Sequence, residues 1–347
     1  MQRIGARAAL TLLVAAAACG GGRGSARVVI PPGASMRTAA ESLAKAGVIR
    51  SARLFRAYAK VRRSDRGIKA GTYMLRRDEG WNGVLDALRA GKGIVAVVTI
   101  PEGFSLSQIA PLLATKLQQP ADSVMAAARD TAWLHRLGVP IGLLEGYLFP
   151  DTYTFPDGTT ARAAVNAMLR RFEQVWRPEW TARLDSISLS RHQVLTLASI
   201  VETEARLAEE RSIIAGVYVN RLREGMLLEA DPTVQYARGT HAARVFYKDL
   251  DIESPYNTYR HAGLPPGPIA SPGRASIVAA LYPANVTYKF FVAYPDGHHE
   301  FRNDLAGHTR AKAEARKAWD LAAARRPAAT PAPAPAAPPA PKRGSKK

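Results

Sequence analysis

Cysteine is nearly absent from this sequence: Cys19 is the single one in 347 residues. With its only thiol so close to the N-terminus, the rest of the chain has no disulfide framework and no cysteine-based metal site. There is no Gly-x-Ser-x-Gly elbow for an acyl-transfer serine, no Walker A loop and no His-Glu-x-x-His zinc motif. His298 and His299 stand together at a turn and, with His308, are the nearest thing to a ligand set. Neighbouring strand residues point to opposite faces, so neither a metal nor a cofactor is expected. Carboxylate chemistry is what remains.

Acidic residues are the scarcer charge, with 29 Asp and Glu against 48 Lys and Arg, a formal net charge of +19. Nine of the basic residues lie in the two termini, which leaves about +10 elsewhere, enough to favour an anionic partner. Arg3 and Arg7 precede "AALTLLVAAAAC", an apolar run too short to span a bilayer comfortably but of the size found in export signals. Cys19 and a Gly triplet follow. "AAAC" resembles a bacterial lipoprotein processing site, which makes Cys19 a candidate for lipidation, although Ala16 stands where Leu or Val is usual. Export argues against nucleic acid as the target of the basic surface. From Arg325 the chain is rich in Pro and Ala with basic tips, a composition that buries no core.

An internal repeat appears at an offset of 70. "VVIPPGASMRTAAESLA" (Val28 to Ala44) aligns with "VTIPEGFSLSQIAPLLA" (Val98 to Ala114). Each copy reads as a β-branched strand, a Pro-x-Gly turn, a Ser N-cap and an amphipathic helix, and Ser105 with Gln108 forms a capping-box pattern. Between the copies, "IKAGTYML" reads as a strand and "WNGVLDALRAG" as a helix closed by Gly91. Such strand–helix units resemble LysM-type modules, which bind glycans containing N-acetylglucosamine; a purely structural α+β module fits the residues as well. "LLEGYLFPDTYTFPDG" (Leu143 to Gly158) then interrupts a mostly helical stretch. Tyr147, Phe149, Tyr153 and Phe155 alternate, so one side buries or stacks on sugar while Glu145 and Asp151 face elsewhere.

The segment "LASIVETEARLAEER" (Leu197 to Arg211) passes abruptly from apolar to acidic within a helix expected over about Arg191 to Glu210. On a 3.6-residue period Glu202 shares a face with Leu195, Ala198, Ser199, Ala205, Arg206 and Glu209, mostly apolar or small. Glu204 points some 200° away. Glu209 and Glu210 sit among arginines and read as solvated. Glu202 is thus the driest of the four, and desolvation holds the proton that a general acid must donate. From the residues alone, an i,i+4 pair of Glu202 with Arg206 is the competing reading. A hairpin is expected around Asp296-Gly297, and a basic helix closes the fold.

"LEGYLFPDTY", "ASIVETEA", "DPTVQY", "PYNTY" and "GLPPGPIASPG" occur in this order. Together they resemble the endolytic murein transglycosylase (MltG/YceG-like) family from about Val28 to His308. The resemblance implies an α+β fold: a small LysM-like strand–helix module followed by a mainly helical lytic transglycosylase domain with a small β-sheet. The implied organisation is 1–24 as signal or anchor, 25–99 as the module, 100–322 as the catalytic domain and 323–347 as the tail. It implies endolytic cleavage of the β-1,4 bond between N-acetylmuramic acid and N-acetylglucosamine in nascent strands, leaving 1,6-anhydro ends. Glu202 is the implied catalytic acid. Glu204 would support it, and Asp231, Gln235, Tyr256, Asn257 and Tyr259 would contact sugar or brace loops. The implied setting is the cell envelope, attached to the plasma membrane by the N-terminus and close to peptidoglycan synthases. A non-catalytic peptidoglycan-binding scaffold is the alternative. Glu229 departs from the family's usual Gln, adding a negative charge before "DPTVQY", and the N-terminus lacks the full membrane helix usual in the family.

Overall fold

The structure, a computed structural model, describes residues 24–239 and 245–324. Cys19, the export segment and the Pro/Ala-rich tail lie outside them. The chain divides into two units, one ending at Val286 and the other starting at Thr287. Both copies of the repeat take the expected form. Strand β1 (Ser25–Ile30) leads through Gly33 (φ 71°) to Ser35, whose side chain accepts from Thr38 N–H and caps helix α1 (Met36–Lys45). Strand β3 (Ile94–Thr99) leads through Gly103 (φ 78°) to Ser105 and helix α4 (Leu106–Leu117). There the Ser105 N–H donates to Gln108 Oε1 at 3.0 Å, closing the capping box.

Between them lie α2 (Ala52–Val61), β2 (Gly71–Arg76) and α3 (Trp81–Ala90), the last closed by left-handed Gly91. Helix α2 was not foreseen. Its apolar residues are interrupted by Arg53, Arg56 and Lys60, and only Phe55 and Ala59 on it are buried. Strand β4 (Thr152–Pro156) completes an antiparallel sheet of order β1-β2-β3-β4, joining the N-terminal module to the segment that follows. Val28, Ile30, Leu43, Phe55, Tyr73 and Trp81 fill the core of the module.

Short helices α5 (Ala121–Ala127) and α6 (Thr131–Leu137) precede β4, and α7 (Ala161–Val175) and α8 (Pro178–Ile187) follow it. Helix α9 (Arg191–Glu204) is then driven through the interior: residues 194–201 are buried on every side, as in a helix with no solvent face. It packs against α10 (Arg211–Arg223) and α12 (Arg274–Leu281), while α11 (Asp231–Ala237) and long loops surround its C-terminal end. The expected continuation of α9 to Glu210 does not occur. The Thr203 hydroxyl donates to the Ser199 and Ile200 carbonyls, satisfying acceptors of the last turn. Ala205 is extended, and a 3₁₀ turn over Ala208–Glu210 leads into α10. In the second unit, β5 (Phe290–Ala293) and β6 (His299–Arg302) form the expected hairpin, followed by α13 (Leu305–Ala324).

The aromatic stretch after α6 is core: Tyr147, Phe149, Tyr153 and Phe155 are all buried. Gly146 among them has φ 80°, and an added Cβ would overlap Pro268 and meet the Ala270 carbonyl at 3.2 Å. Gly146→Ala is expected to lose about 2–4 kcal/mol from left-handed strain plus overpacking, a fall in Tm of about 5–10 °C by thermal denaturation. An unchanged Tm would mean that residues 143–149 are not pressed onto 268–270.

Candidate active site

Glu202 sits on the last turn of α9 with its side chain only 7% exposed. One carboxylate oxygen, Oε2, accepts the Gly273 N–H at 2.8 Å. The other, Oε1, has Arg211 Nη2 at 3.6 Å, an ion pair beyond hydrogen-bond length. Arg211 is available because the chain bends after Glu204 and restarts as α10. Arg206, the partner suggested by a continuous helix, lies past that bend and is exposed. The Arg211 Nε also donates to Ser276 Oγ at 3.2 Å, tying the start of α12 to the same point.

Gly273 is placed by the "GLPPGPIASPG" segment, which is stitched to α9 and to the second repeat. Ile269 N–H donates to the buried Ser199 Oγ at 3.0 Å. Gly103 N–H donates to the Ser271 carbonyl at 2.9 Å, and Ser271 N–H returns a bond to the Phe104 carbonyl at 2.8 Å. The turn of the second repeat therefore lies beside Glu202; a Cβ on Gly103 would stand 3.8 Å from the Glu202 Cγ.

That turn carries Glu102, a carboxyl the sequence reading missed. A Cβ on Gly273 would collide with the Glu102 carboxyl, so Glu102 and Glu202 both converge on residue 273. Burial, then the charge of Glu202, push the Glu102 pKa up, and Arg211 opposes the shift. Projecting one helix finds only carboxyls of that helix. A signal was present in the repeat itself, because Glu102 replaces Pro32 of the first copy.

The expected ranking of the four glutamates is corrected. Glu204 does point away from Glu202, but into the protein: it accepts from the Tyr218 hydroxyl at 3.0 Å. Burial and the neighbouring Asp231 raise its pKa to about 7. Glu210 is buried, at 8% exposure, and Glu209 alone is exposed. The helical projection fails here because the helix has ended. Glu145, expected to face away from the aromatic side, is 2% exposed. It accepts the Leu106 N–H at 2.9 Å, capping α4, and the Tyr236 hydroxyl at 3.2 Å. Burial pushes its pKa up to about 7.

The other expected residues divide by role. Asp231, exposed at the start of α11, accepts the Tyr259 hydroxyl at 2.7 Å. Tyr256 is half-buried with its ring 4.8 Å from that of Tyr236, and Gln235 is half-buried on α11. Asn257 is fully buried, donating to the Leu250 and Ile252 carbonyls and accepting from Tyr259 N–H. It braces its loop and cannot reach a sugar. The extra charge of Glu229 is answered by Arg221 Nη1 at 2.9 Å. His192 links two of the motifs, with Nε2 2.8 Å from the Pro266 carbonyl and Nδ1 3.0 Å from the Tyr147 hydroxyl. Among the described residues no group of His, Cys, Asp and Glu is placed to hold a metal ion, and no helix is long and apolar enough to cross a membrane.

Residues 28–314 match the YceG-like family, and the chain belongs to it. It is 36% identical over 299 residues to the endolytic murein transglycosylase of Bacillus subtilis (strain 168), covering 82% of each chain. It is 30% identical over 319 residues to the endolytic murein transglycosylase of Streptococcus pneumoniae serotype 2 (strain D39), covering 83% of this chain but 58% of that relative. The crystal structure of a yceG-like protein from Listeria monocytogenes superposes with a TM-score of 0.58 at 33% identity, covering 84% of this chain and 100% of that one.

Glu145 gives a pH test of the buried scaffold. Its folded pKa lies above its ordinary value of 4.5, so its favourable contribution is full below that value and is lost as pH rises through about 7. Relative to wild type, Glu145→Gln is therefore expected to gain up to about 3 kcal/mol between pH 4.5 and 8 in urea denaturation. A difference that stays constant with pH would contradict the raised pKa.

Proposed function

We propose that the protein is a lytic transglycosylase that cleaves peptidoglycan glycan strands within their length, with Glu202 as the acid and then the base. The observation that carries this is the Glu202 carboxyl, held by the Gly273 N–H where two family motifs meet, and faced by Arg211. The names of the two curated relatives supply the substrate class.

Oε2 is fixed by the Gly273 N–H, which leaves Oε1 to exchange the proton. In the first step Oε1–H protonates the glycosidic oxygen as the bond from the muramoyl C1 to that oxygen breaks. The new carboxylate is balanced by Arg211 and then takes the proton of the muramoyl C6 hydroxyl. The C6 oxygen closes onto C1, forming the 1,6-anhydro ring, and the carboxyl regains its proton. Because the nucleophile belongs to the substrate, the reaction needs no second carboxylate to activate water, unlike a glycoside hydrolase. Glu102 stands beside the reacting group and is read as a site residue. Asp231, Gln235, Tyr256 and Tyr259 remain candidates for sugar contact, and Glu204 supports the end of the helix from beneath.

The strand–helix–helix–strand order of β1, α1, α2 and β2 supports a glycan-binding, LysM-like role for the first module. The apolar run before Cys19, read as an export signal, supports attachment to the plasma membrane and catalysis on its outer side near peptidoglycan synthases, where cleavage would terminate strand growth.

Purified protein incubated with uncrosslinked glycan strands is expected to yield anhydromuramoyl ends by mass spectrometry. Glu202→Gln should lower their rate of formation by at least about a thousandfold at unchanged Tm, while Glu102→Gln should lower it by about tenfold. No anhydro ends from the wild type would refute the enzyme reading and leave a glycan-binding scaffold.

A further inference from the structure

The positive charge of the chain is not spread along it. Residues 24–99 hold 15 Lys and Arg against 5 Asp and Glu, whereas residues 100–324 hold 24 of each. The first module alone therefore carries the excess outside the termini. Much of it gathers on α2 and its flanks. Arg50, Arg53, Lys60, Arg62 and Arg63 are all exposed, and none forms an ion pair with a described residue.

The same outward face of α2 is apolar in its other half. Phe55 and Ala59 turn into the module, while Leu54 is 52% exposed and Val61 82% exposed. One helical turn is 3.6 residues, so Leu54 and Val61, seven apart, lie in one stripe, and Arg53 and Lys60 lie in the stripe beside it. A soluble polyanion would use the cations and gain nothing from the exposed aliphatic side chains. A bilayer surface uses both: anionic headgroups meet the cations while the aliphatic pair enters the boundary between headgroup and acyl chain.

We infer that the α2 face of the first module docks on the surface of an anionic phospholipid bilayer, setting the height of the module at the membrane independently of the N-terminal segment. The charge is complementary to such a surface, and each cation close to it adds about a fivefold preference at low salt.

The test is flotation of the full chain with limiting vesicles of phosphatidylcholine alone or containing phosphatidylglycerol. The N-terminal apolar run contributes to both mixtures, so the comparison of variants isolates the patch. Wild type should partition to anionic vesicles in a salt-sensitive way. Arg53→Glu/Lys60→Glu/Arg63→Glu should lose that preference by on the order of a hundredfold at low salt. Leu54→Ser/Val61→Ser, which keeps every charge, should lose several-fold on vesicles and nothing on soluble poly(glycerol phosphate). All these side chains are exposed, so the melting temperature should hold. Equal partition of wild type and the charge-reversed variant would overturn the inference. So would an unchanged affinity of Leu54→Ser/Val61→Ser for vesicles, which would assign the patch to a soluble polyanion.

Discussion

The hydrogen bond from the Gly273 N–H to the Glu202 carboxylate is the constraint on which the site depends. It joins the C-terminal turn of the most deeply buried helix to a Pro- and Gly-rich segment some 70 residues later. That segment has no secondary structure of its own. It is held instead by Ser199 on the helix and by the paired backbone of residues 103 and 104. A carboxyl on a rigid helix, with one oxygen fixed by a backbone donor, is held in a single orientation, and this is what proton transfer to a defined glycosidic oxygen requires.

Two other carboxyls are turned into the protein. Glu145 caps α4 from inside the core, and Glu204 is enclosed beside Tyr218; both are pushed toward a neutral form by burial. Each joins segments distant in sequence: Glu145 reaches α4 and Tyr236, and Glu204 reaches α10. The motifs that mark the family are thus largely the residues that fasten these segments together. Asn257 is a clear instance, since its side chain bonds hold a loop and leave none for substrate.

Local periodicity made much of this legible in the sequence. The two strand–turn–helix units, the Ser105 capping box, the Gly91 stop and the hairpin at Asp296-Gly297 all depend on neighbours within a few residues, and each stands where the pattern placed it. The burial of Tyr147 and Phe155 followed from simple alternation. What escaped were facts set by distant partners. The end of α9 at Glu204, and with it the exchange of Arg206 for Arg211 as the partner of Glu202, depends on how the chain restarts against α12. Glu102 reaches the site from another segment and Glu145 enters the core through a distant helix terminus, so neither shows in a local pattern.

The central claim is that Glu202 presents Oε1, the oxygen not bonded to the Gly273 N–H, to a bound glycan strand. It is tested most directly by a crystal structure of Glu202→Gln with an oligomer of N-acetylglucosamine and N-acetylmuramic acid. The account predicts the glycosidic oxygen on muramoyl C1 within about 3 Å of the side chain at position 202, on the atom not bonded to the Gly273 N–H. An oligomer seated elsewhere on the protein, with that side chain still enclosed and out of reach, would contradict it.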